Sequence, residues 1–107
     1  MKIWQIQYWQ DSSKHSVEKW ILNLPHEQLK SITKEIELLK INGNKLKLPH
    51  SKSLSKGIFE LRERRYGLRI YYCFKENQII ILLCAGDKAS QANDIIVARK
   101  IFNKIKS

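Results

Sequence analysis

Two arginines, Arg62 and Arg69, occupy short strand-like runs on either side of a predicted turn, and their spacing suggests chemistry. A tight turn at Arg65-Tyr66 would place them directly opposite each other on antiparallel strands. Like charges in that position repel unless an anion lies between them or a carboxylate compensates. The pair predicts either a phosphate clamp or a solvated Glu-Arg surface pair that uses Glu60 on the same face.

Lys88 supplies a third cation, one residue past the Gly86-Asp87 turn that ends an apolar run. The strand before it would be antiparallel to the strand of Arg69, so Lys88 comes to the sheet end that carries both arginines. Three cations at one end favour the phosphate clamp. Asp94 could accept a proton, order Lys88, or only stabilise the N-terminus of the last helix.

Residues 44–56 are predicted to form a basic loop whose length is near the upper end for a structureless connection, which suggests function. A loop histidine is either a general base or solvated surface. No metal-ligand spacing, catalytic triad or glycine-rich phosphate loop is present, so no metal or cofactor is predicted. The loop contains Lys45, Lys47, His50, Lys52 and Lys56.

The elements that would position these residues begin with an N-terminal strand at 2–9 and a helical hairpin. Asp11, Ser12 and Ser13 offer the first N-cap, Pro25 suits the start of the second helix, and Asn42-Gly43-Asn44 ends it. The apolar stripes indicate core packing: Val17, Trp20, Ile21 and Leu24, then Leu29, Ile32, Ile36 and Leu39.

Three further strands at 57–63, 67–75 and 78–85 predict an α+β fold, β-α-α-β-β-β-α, with a mainly antiparallel four-stranded sheet. The third is apolar at every position from Ile79 to Leu83, so it is predicted to be central, with the N-terminal strand on its free edge. The predicted order is 57–63, 67–75, 78–85, 2–9. Ser90 can cap a last helix, and the whole chain, 1–107, reads as one domain. The buried stripe of that helix is Ile95, Ala98, Phe102 and Ile105.

Alternation sorts the strand residues into two faces. A turn at Glu76-Asn77 would place Cys84 opposite Arg69 and Cys73 opposite Ile80, too far apart for a disulfide, which predicts buried free thiols in a reducing compartment. The face toward the helical hairpin would carry Phe59, Leu61, Ile70, Tyr72 and Phe74, and the other face Glu60, Arg62, Arg69 and Tyr71.

The chain carries 20 Lys and Arg against 10 Asp and Glu, a formal net charge of +10. This excess favours a polyanionic partner, either nucleic acid or an acidic protein, over a merely solubilising surface. No apolar run approaches the ~20 residues that span a bilayer, and the N-terminus lacks the features of a signal peptide. A cytoplasmic protein without membrane contact is expected.

Three segments resemble the RelE/ParE superfamily of type II toxins: Glu60-Leu61-Arg62, Gly67-Leu68-Arg69-Ile70-Tyr71-Tyr72, and Leu82 to Gln91 followed by Asp94-Ile95. The nearest branch is that of the addiction-module killer toxins, related to HigB and to phage-derived host-inhibition proteins. The resemblance covers essentially the whole chain, and the layout of that family is the one predicted above.

The resemblance implies the toxin of a type II toxin-antitoxin system, acting as a ribosome-dependent mRNA endoribonuclease. The alternative is a ParE-like, non-enzymatic inhibitor of DNA gyrase, and a third hypothesis is a nucleic-acid-binding module with no toxicity, such as an inactive remnant. The implied partners are the ribosome with its mRNA and a cognate antitoxin, often a helix-turn-helix protein of the HigA kind. Cleavage would proceed without a metal, by attack of the ribose 2′-OH on the adjacent phosphorus.

By position, the resemblance implies that Arg69 binds the scissile phosphate and that Lys88 stabilises the transition state. Arg62, opposite Arg69, is a catalytic candidate from the predicted strand pairing. Two departures leave the general acid and base unassigned: Glu60 stands where the family has a lysine, and Gln91 and Asp94 occupy the region in which RelE has a tyrosine. RNA binding is expected from Lys52 and Lys56, which could also aid proton transfer, and from His50, Lys45, Lys47, Tyr71 and Gln91.

Overall fold

The computed structural model describes residues 3–10 and 16–106, and the sheet there has five strands instead of the four predicted. The order is β1-β5-β4-β3-β2, with β1 parallel to β5 and every other pair antiparallel. The predicted order of four strands is therefore retained, with one strand added at the edge. The strands are β1 Gln5–Tyr8, β2 Ser51–Ser53, β3 Phe59–Glu63, β4 Leu68–Lys75 and β5 Ile79–Asp87.

The added strand, β2, lies in the segment that was predicted to be a structureless loop, and that prediction is wrong. Ser51 pairs with Leu61 and Lys52 with Glu60, so β2 covers the edge of β3 that would otherwise be open. A strand of three residues is too short to show an alternating apolar pattern in the sequence. Only its pairing with β3 identifies it as a strand. Gly43–Lys45 also forms a short 3-10 helix.

Three helices complete the described part: α1 Val17–Leu22, α2 His26–Asn42 and α3 Gln91–Lys106. Ser16 caps α1 by accepting the Lys19 amide at 3.3 Å, and the predicted caps Asp11, Ser12 and Ser13 lie outside the described residues. Gly43 ends α2 with φ at +54°, as predicted. No helix in 3–10 or 16–106 is long and apolar enough to cross a membrane.

The core has two layers, one on each face of the sheet, which confirms that β5 is an internal strand covered on both sides. Residues of β5 alternate between the layers, with Ile80 and Leu82 in one and Ile81 and Leu83 in the other. The first layer packs against α1 and α2, through Val17, Ile21, Ile32, Ile36 and Leu39, and includes Leu61, Ile70 and Tyr72. The second packs against α3, through Ala98 and Ile101, and includes Tyr71, Cys73 and Cys84.

The register between β3 and β4 is the predicted one, with Arg62 opposite Arg69. The predicted register between β4 and β5 is wrong, because Cys84 faces Tyr71 and Arg69 faces Gly86. A three-residue connection, with Asn77 at positive φ, and an irregularity between Tyr71 and Tyr72 shift the pairing. Pairing also extends β5 to Asp87, so the turn begins at Lys88 and not at Gly86.

Both thiols are nevertheless free and buried, as expected. Burial raises the pKa of Cys73 to about 11 and that of Cys84, which also lies near the Asp94 carboxylate, to about 12. Cys84 Sγ donates to the Asp94 carbonyl oxygen at 3.1 Å. Both cysteines are therefore neutral packing residues at physiological pH.

Candidate active site

Glu60 lies at the centre of the candidate site, and its side chain is only 2% exposed. Its Oε2 is 3.4 Å from Arg69 Nε, and its Oε1 is 3.6 Å from Arg62 Nε. The amide of Gln91, at the start of α3, donates to Oε2 at 2.8 Å. A carboxylate thus compensates the opposed arginines, but in a buried cluster and not in the solvated pair considered above.

The two arginines turn the same guanidinium atom, Nε, toward Glu60, and both Nε atoms are shielded from water. Arg69 is 90% enclosed, with an exposed side-chain fraction of 10%, and its Nη1 donates to the Gly67 carbonyl at 3.0 Å. Arg62 is one-third exposed, which leaves the outer part of its guanidinium at the surface. One carboxylate shared by two cations leaves an excess positive charge that can attract a phosphate.

Lys88 reaches the same end of the sheet, as predicted. A point corresponding to a Cβ on Gly67 lies 3.8 Å from Lys88 Cβ and 4.0 Å from Arg69 Nη1. Lys52 pairs with Glu60 across β2 and β3, so it lies on the same face of the sheet. Both lysines are exposed, and they extend the cationic surface on two sides of the arginine pair.

The helix that covers Glu60 is held by a cluster at its first turn. Ser90 Oγ donates to Asp94 Oδ2 at 2.5 Å and accepts the Asp87 amide at 3.1 Å. Asp94 Oδ2 and Ser90 Oγ fill the space that a side chain at position 86 would occupy, so only glycine fits. The Gly86-Asp87 pair thus brings α3 close to β5 and sets Gln91 on Glu60. The anchoring role of Ser90 was not predicted beyond a helix cap.

Tyr71 lies directly opposite Glu60 on the neighbouring strand and is fully buried. Burial, and next the charge of Glu60, raise the pKa of its phenol, which stays neutral. A buried ring does not offer RNA a contact surface, so Tyr71 packs beside Glu60 and is not the RNA contact expected from the sequence.

The basic residues of the segment before β3 lie in different parts of the molecule and do not form one surface. His50 Nδ1 lies 2.8 Å from Glu35 Oε1 on α2, on the sheet face opposite to α3. Lys45 ends the 3-10 helix after α2, and Lys47 is exposed in the following turn. Lys56 lines a cleft beside the C-terminal half of α3. Of this segment, only Lys52 joins the arginine pair.

Arg64 and Arg65 were not among the candidate site residues predicted from the sequence. Both lie in the turn between β3 and β4, at the same end of the sheet. Both are exposed, and the Arg65 guanidinium carbon lies 5.3 Å from the centroid of the Tyr66 ring. The run Arg62-Glu63-Arg64-Arg65 was a usable signal, because it holds three arginines and one glutamate in four residues. The structure buries that glutamate, so it does not offset these charges at the surface. Within residues 3–10 and 16–106, no group of His, Cys, Asp or Glu could hold a metal ion.

Comparison with known proteins decides the family. Residues 19–103 match the family of phage-derived proteins described as Gp49-like. The chain belongs to this family. A Mycobacterium tuberculosis protein that carries the toxin name HigB3 is 34% identical over 77 residues, 68% of each chain. The chain is thus a member of the RelE/HigB-type toxin family.

Two further likenesses concern sequence and fold. An uncharacterised Haemophilus influenzae protein is 40% identical over 55 residues, half of this chain and 56% of that protein, so the match spans about half of the relative. The structure of an Escherichia coli RelE double mutant in the free state superposes with a TM-score of 0.62 over 91% of this chain and 97% of RelE. At 13% identity, the second match shows a shared fold.

Proposed function

We propose that this Gp49-like chain is the toxin of a type II toxin-antitoxin system and that it inhibits translation by cutting mRNA on the ribosome. Membership of the family and the likeness to HigB3 support the toxin class. The observation that carries the ribonuclease is the pair Arg62 and Arg69, opposed across two strands and held by one buried carboxylate. Their fixed positive charge is suited to a phosphodiester.

The reaction requires in-line displacement at phosphorus. The ribose 2′ oxygen attacks the adjacent phosphorus, the bond from phosphorus to the 5′ oxygen of the next nucleotide breaks, and a 2′,3′-cyclic phosphate forms. The 2′-OH loses a proton and the departing 5′ oxygen gains one. Negative charge grows on the phosphoryl oxygens in the transition state, where preorganised cations contribute most.

Arg69 and Arg62 are assigned to the phosphoryl oxygens, because their guanidinium groups are held in place before substrate arrives. Lys88 is exposed at the same end of the sheet. Its proposed role is to stabilise the negative charge of the transition state and to donate a proton to the departing 5′ oxygen. Glu60 is assigned as a positioning residue, because its oxygens already face two arginines and Gln91. Asp94, engaged by Ser90, positions α3 in the same way.

The proposed partners are mRNA on the ribosome and a cognate antitoxin encoded beside this chain, of the helix-turn-helix HigA-like kind. The relative with a toxin name is a HigB, and the fold neighbour is RelE. These likenesses do not favour the ParE-like gyrase alternative.

The first prediction concerns Arg69→Ala, with Lys34→Ala on the exposed face of α2 as its control. Loss of a preorganised cation is expected to reduce mRNA cleavage by about 10²–10³-fold and to relieve growth arrest. Each variant is induced in cells without the antitoxin, cleavage is mapped by primer extension, and circular dichroism checks the fold. Arrested cells with intact mRNA would contradict the proposal, and DNA-damage signalling with stalled replication would point to gyrase.

A further inference from the structure

A cleft of about 170 Å³ separates the connection between β2 and β3 from the C-terminal half of α3. It lies outside the arginine cluster, which consists of Arg62, Arg69 and the Glu60 carboxylate between them. Three of its six lining residues are cationic and none is acidic. Ile58, buried to 1% exposure, is one of its apolar residues. The lining residues are Lys56, Ile58, Arg99, Phe102, Asn103 and Lys106.

The connection that carries Lys56 has an unusual backbone. Ser55 and Lys56 have φ values of +72° and +55°, a conformation that costs non-glycine residues on the order of 1–3 kcal/mol each. Gly57 follows at +90°, and a Cβ there would lie 2.9 Å from the Phe102 ring. This connection is therefore pressed against α3, which fixes where Lys56 lies.

Arg99 ties the two sides of the cleft together. Its Nη2 donates to the Leu54 carbonyl at 2.8 Å, which links α3 to the end of β2. Lys106 Nζ lies 5.6 Å from the centroid of the partly buried Phe102 ring. An aromatic ring with cations around it is the arrangement by which proteins hold single-stranded nucleic acid, because phosphates take the cations and bases stack on rings.

The cleft and the arginine cluster lie along one helix. Gln91, the first residue of α3, contacts Glu60, whereas Arg99 is eight residues further on. At a helical rise of about 1.5 Å per residue, Arg99 lies roughly 12 Å from Gln91 along the axis, and Lys106 roughly 22 Å. Lys52 lies on the same face of the sheet. A strand bound at the arginines could therefore continue along α3 into the cleft.

We propose that this cleft is a second phosphate subsite for single-stranded RNA. Lys56, Arg99 and Lys106 bind a backbone phosphate away from the scissile one, and Phe102 contacts the adjoining base. This subsite deepens the proposed function and rests on it for the identity of the polymer. The shared helix and the aromatic ring favour RNA over an acidic segment of a partner protein.

The test compares two double variants that each remove two positive charges. Lys56→Gln with Lys106→Gln alters the cleft, whereas Lys30→Gln with Lys34→Gln alters exposed residues of α2 on the opposite face. The probe is a fluorescent single-stranded 2′-O-methyl RNA of about 12 nucleotides, which resists cleavage, titrated by anisotropy at several salt concentrations. The cleft variant is expected to bind roughly tenfold more weakly than the control. Its slope of log K against log salt should be smaller by about 0.7 for the lost phosphate.

Phe102→Leu is the second variant, because it removes the ring and keeps the charge. It should weaken RNA binding with an unchanged salt slope, provided that circular dichroism shows a retained fold. Equal affinities and slopes for the cleft and control variants would overturn the subsite. Loss of binding to a poly-glutamate peptide, with RNA binding intact, would instead assign the cleft to an acidic partner. Because the assay measures binding without cleavage, failure of the ribonuclease proposal would be seen separately, as growth arrest with intact mRNA.

Discussion

Glu60 is the residue on which the candidate site depends, because its buried carboxylate lies between two arginines that face each other across β3 and β4. A phosphate approaching from outside meets two guanidinium groups whose Nε atoms already face Glu60, and one of them, Arg69, is also held by the Gly67 carbonyl. We therefore interpret Glu60 as a residue that orients the two guanidinium groups, and not as one that transfers a proton.

Glu60→Gln is expected to destabilise the chain by on the order of 3 kcal/mol, because two cations would then face each other around a neutral amide. Urea unfolding measures the change, with exposed Glu37→Gln as the control at under about 0.5 kcal/mol. Added sulfate should restore more stability to Glu60→Gln than to the parent chain, since an anion can replace the lost carboxylate. Equal midpoints for the two variants would contradict this role.

At the scale of elements, the turn between β3 and β4 is held by Glu63. Its carboxylate accepts the amides of Arg65 at 3.0 Å and Tyr66 at 2.9 Å, and the Ser31 hydroxyl of α2 at 2.6 Å. Burial by itself raises the pKa of Glu63, but these hydrogen bonds outweigh it and lower the pKa below its ordinary value of 4.5. The turn that aligns Arg62 with Arg69 is thus tied to the helical layer.

This lowered pKa predicts how Glu63→Gln changes the response to acid. A carboxylate with a depressed folded pKa stabilises the fold above its unfolded pKa, and the stabilisation is lost as pH falls through the folded value. The variant should therefore be less stable than the parent near neutral pH, and the difference should shrink below about pH 4. Urea midpoints across this range measure it, with exposed Glu76→Gln as the control. A gap that stays constant into strong acid would refute the assignment.

At the scale of the whole molecule, the excess of cations is concentrated at the surface. Glu60 and Glu63 are buried, and Glu35 is engaged by His50, so these carboxylates do not balance the exposed lysines. A formal charge of +10 on 107 residues repels itself in the compact state. This field also attracts a polyanion, which is the partner expected for the arginine cluster and the cleft.

Salt should therefore stabilise the free chain, since ions screen this repulsion. Replacing Lys30 and Lys34 with glutamate lowers the formal charge from +10 to +6, and the rise in Tm with sodium chloride should become smaller. Thermal unfolding followed by circular dichroism measures both, with about 4–8 °C expected for each kcal/mol gained. The same salt response in both proteins would show that net charge is not the cause.

Much of this fold follows from the sequence by itself, because neighbouring residues encode it. Alternation and a tight turn predicted that Arg62 faces Arg69, and a continuous apolar run predicted that β5 is central. The helical stripes and the position of Lys88 at the arginine end were predicted on the same local grounds.

The tertiary structure decided what depends on distant parts of the chain. The strand β2 exists because β3 offers it an edge, and an irregularity at Tyr71-Tyr72 shifts the register with β5. Glu60 is buried because Gln91, 31 residues away, covers it. The cleft forms where α3 meets the connection that carries Lys56. Local patterns place charges on a face, but whether water reaches them depends on which element packs above, and packing is settled only when the whole chain folds.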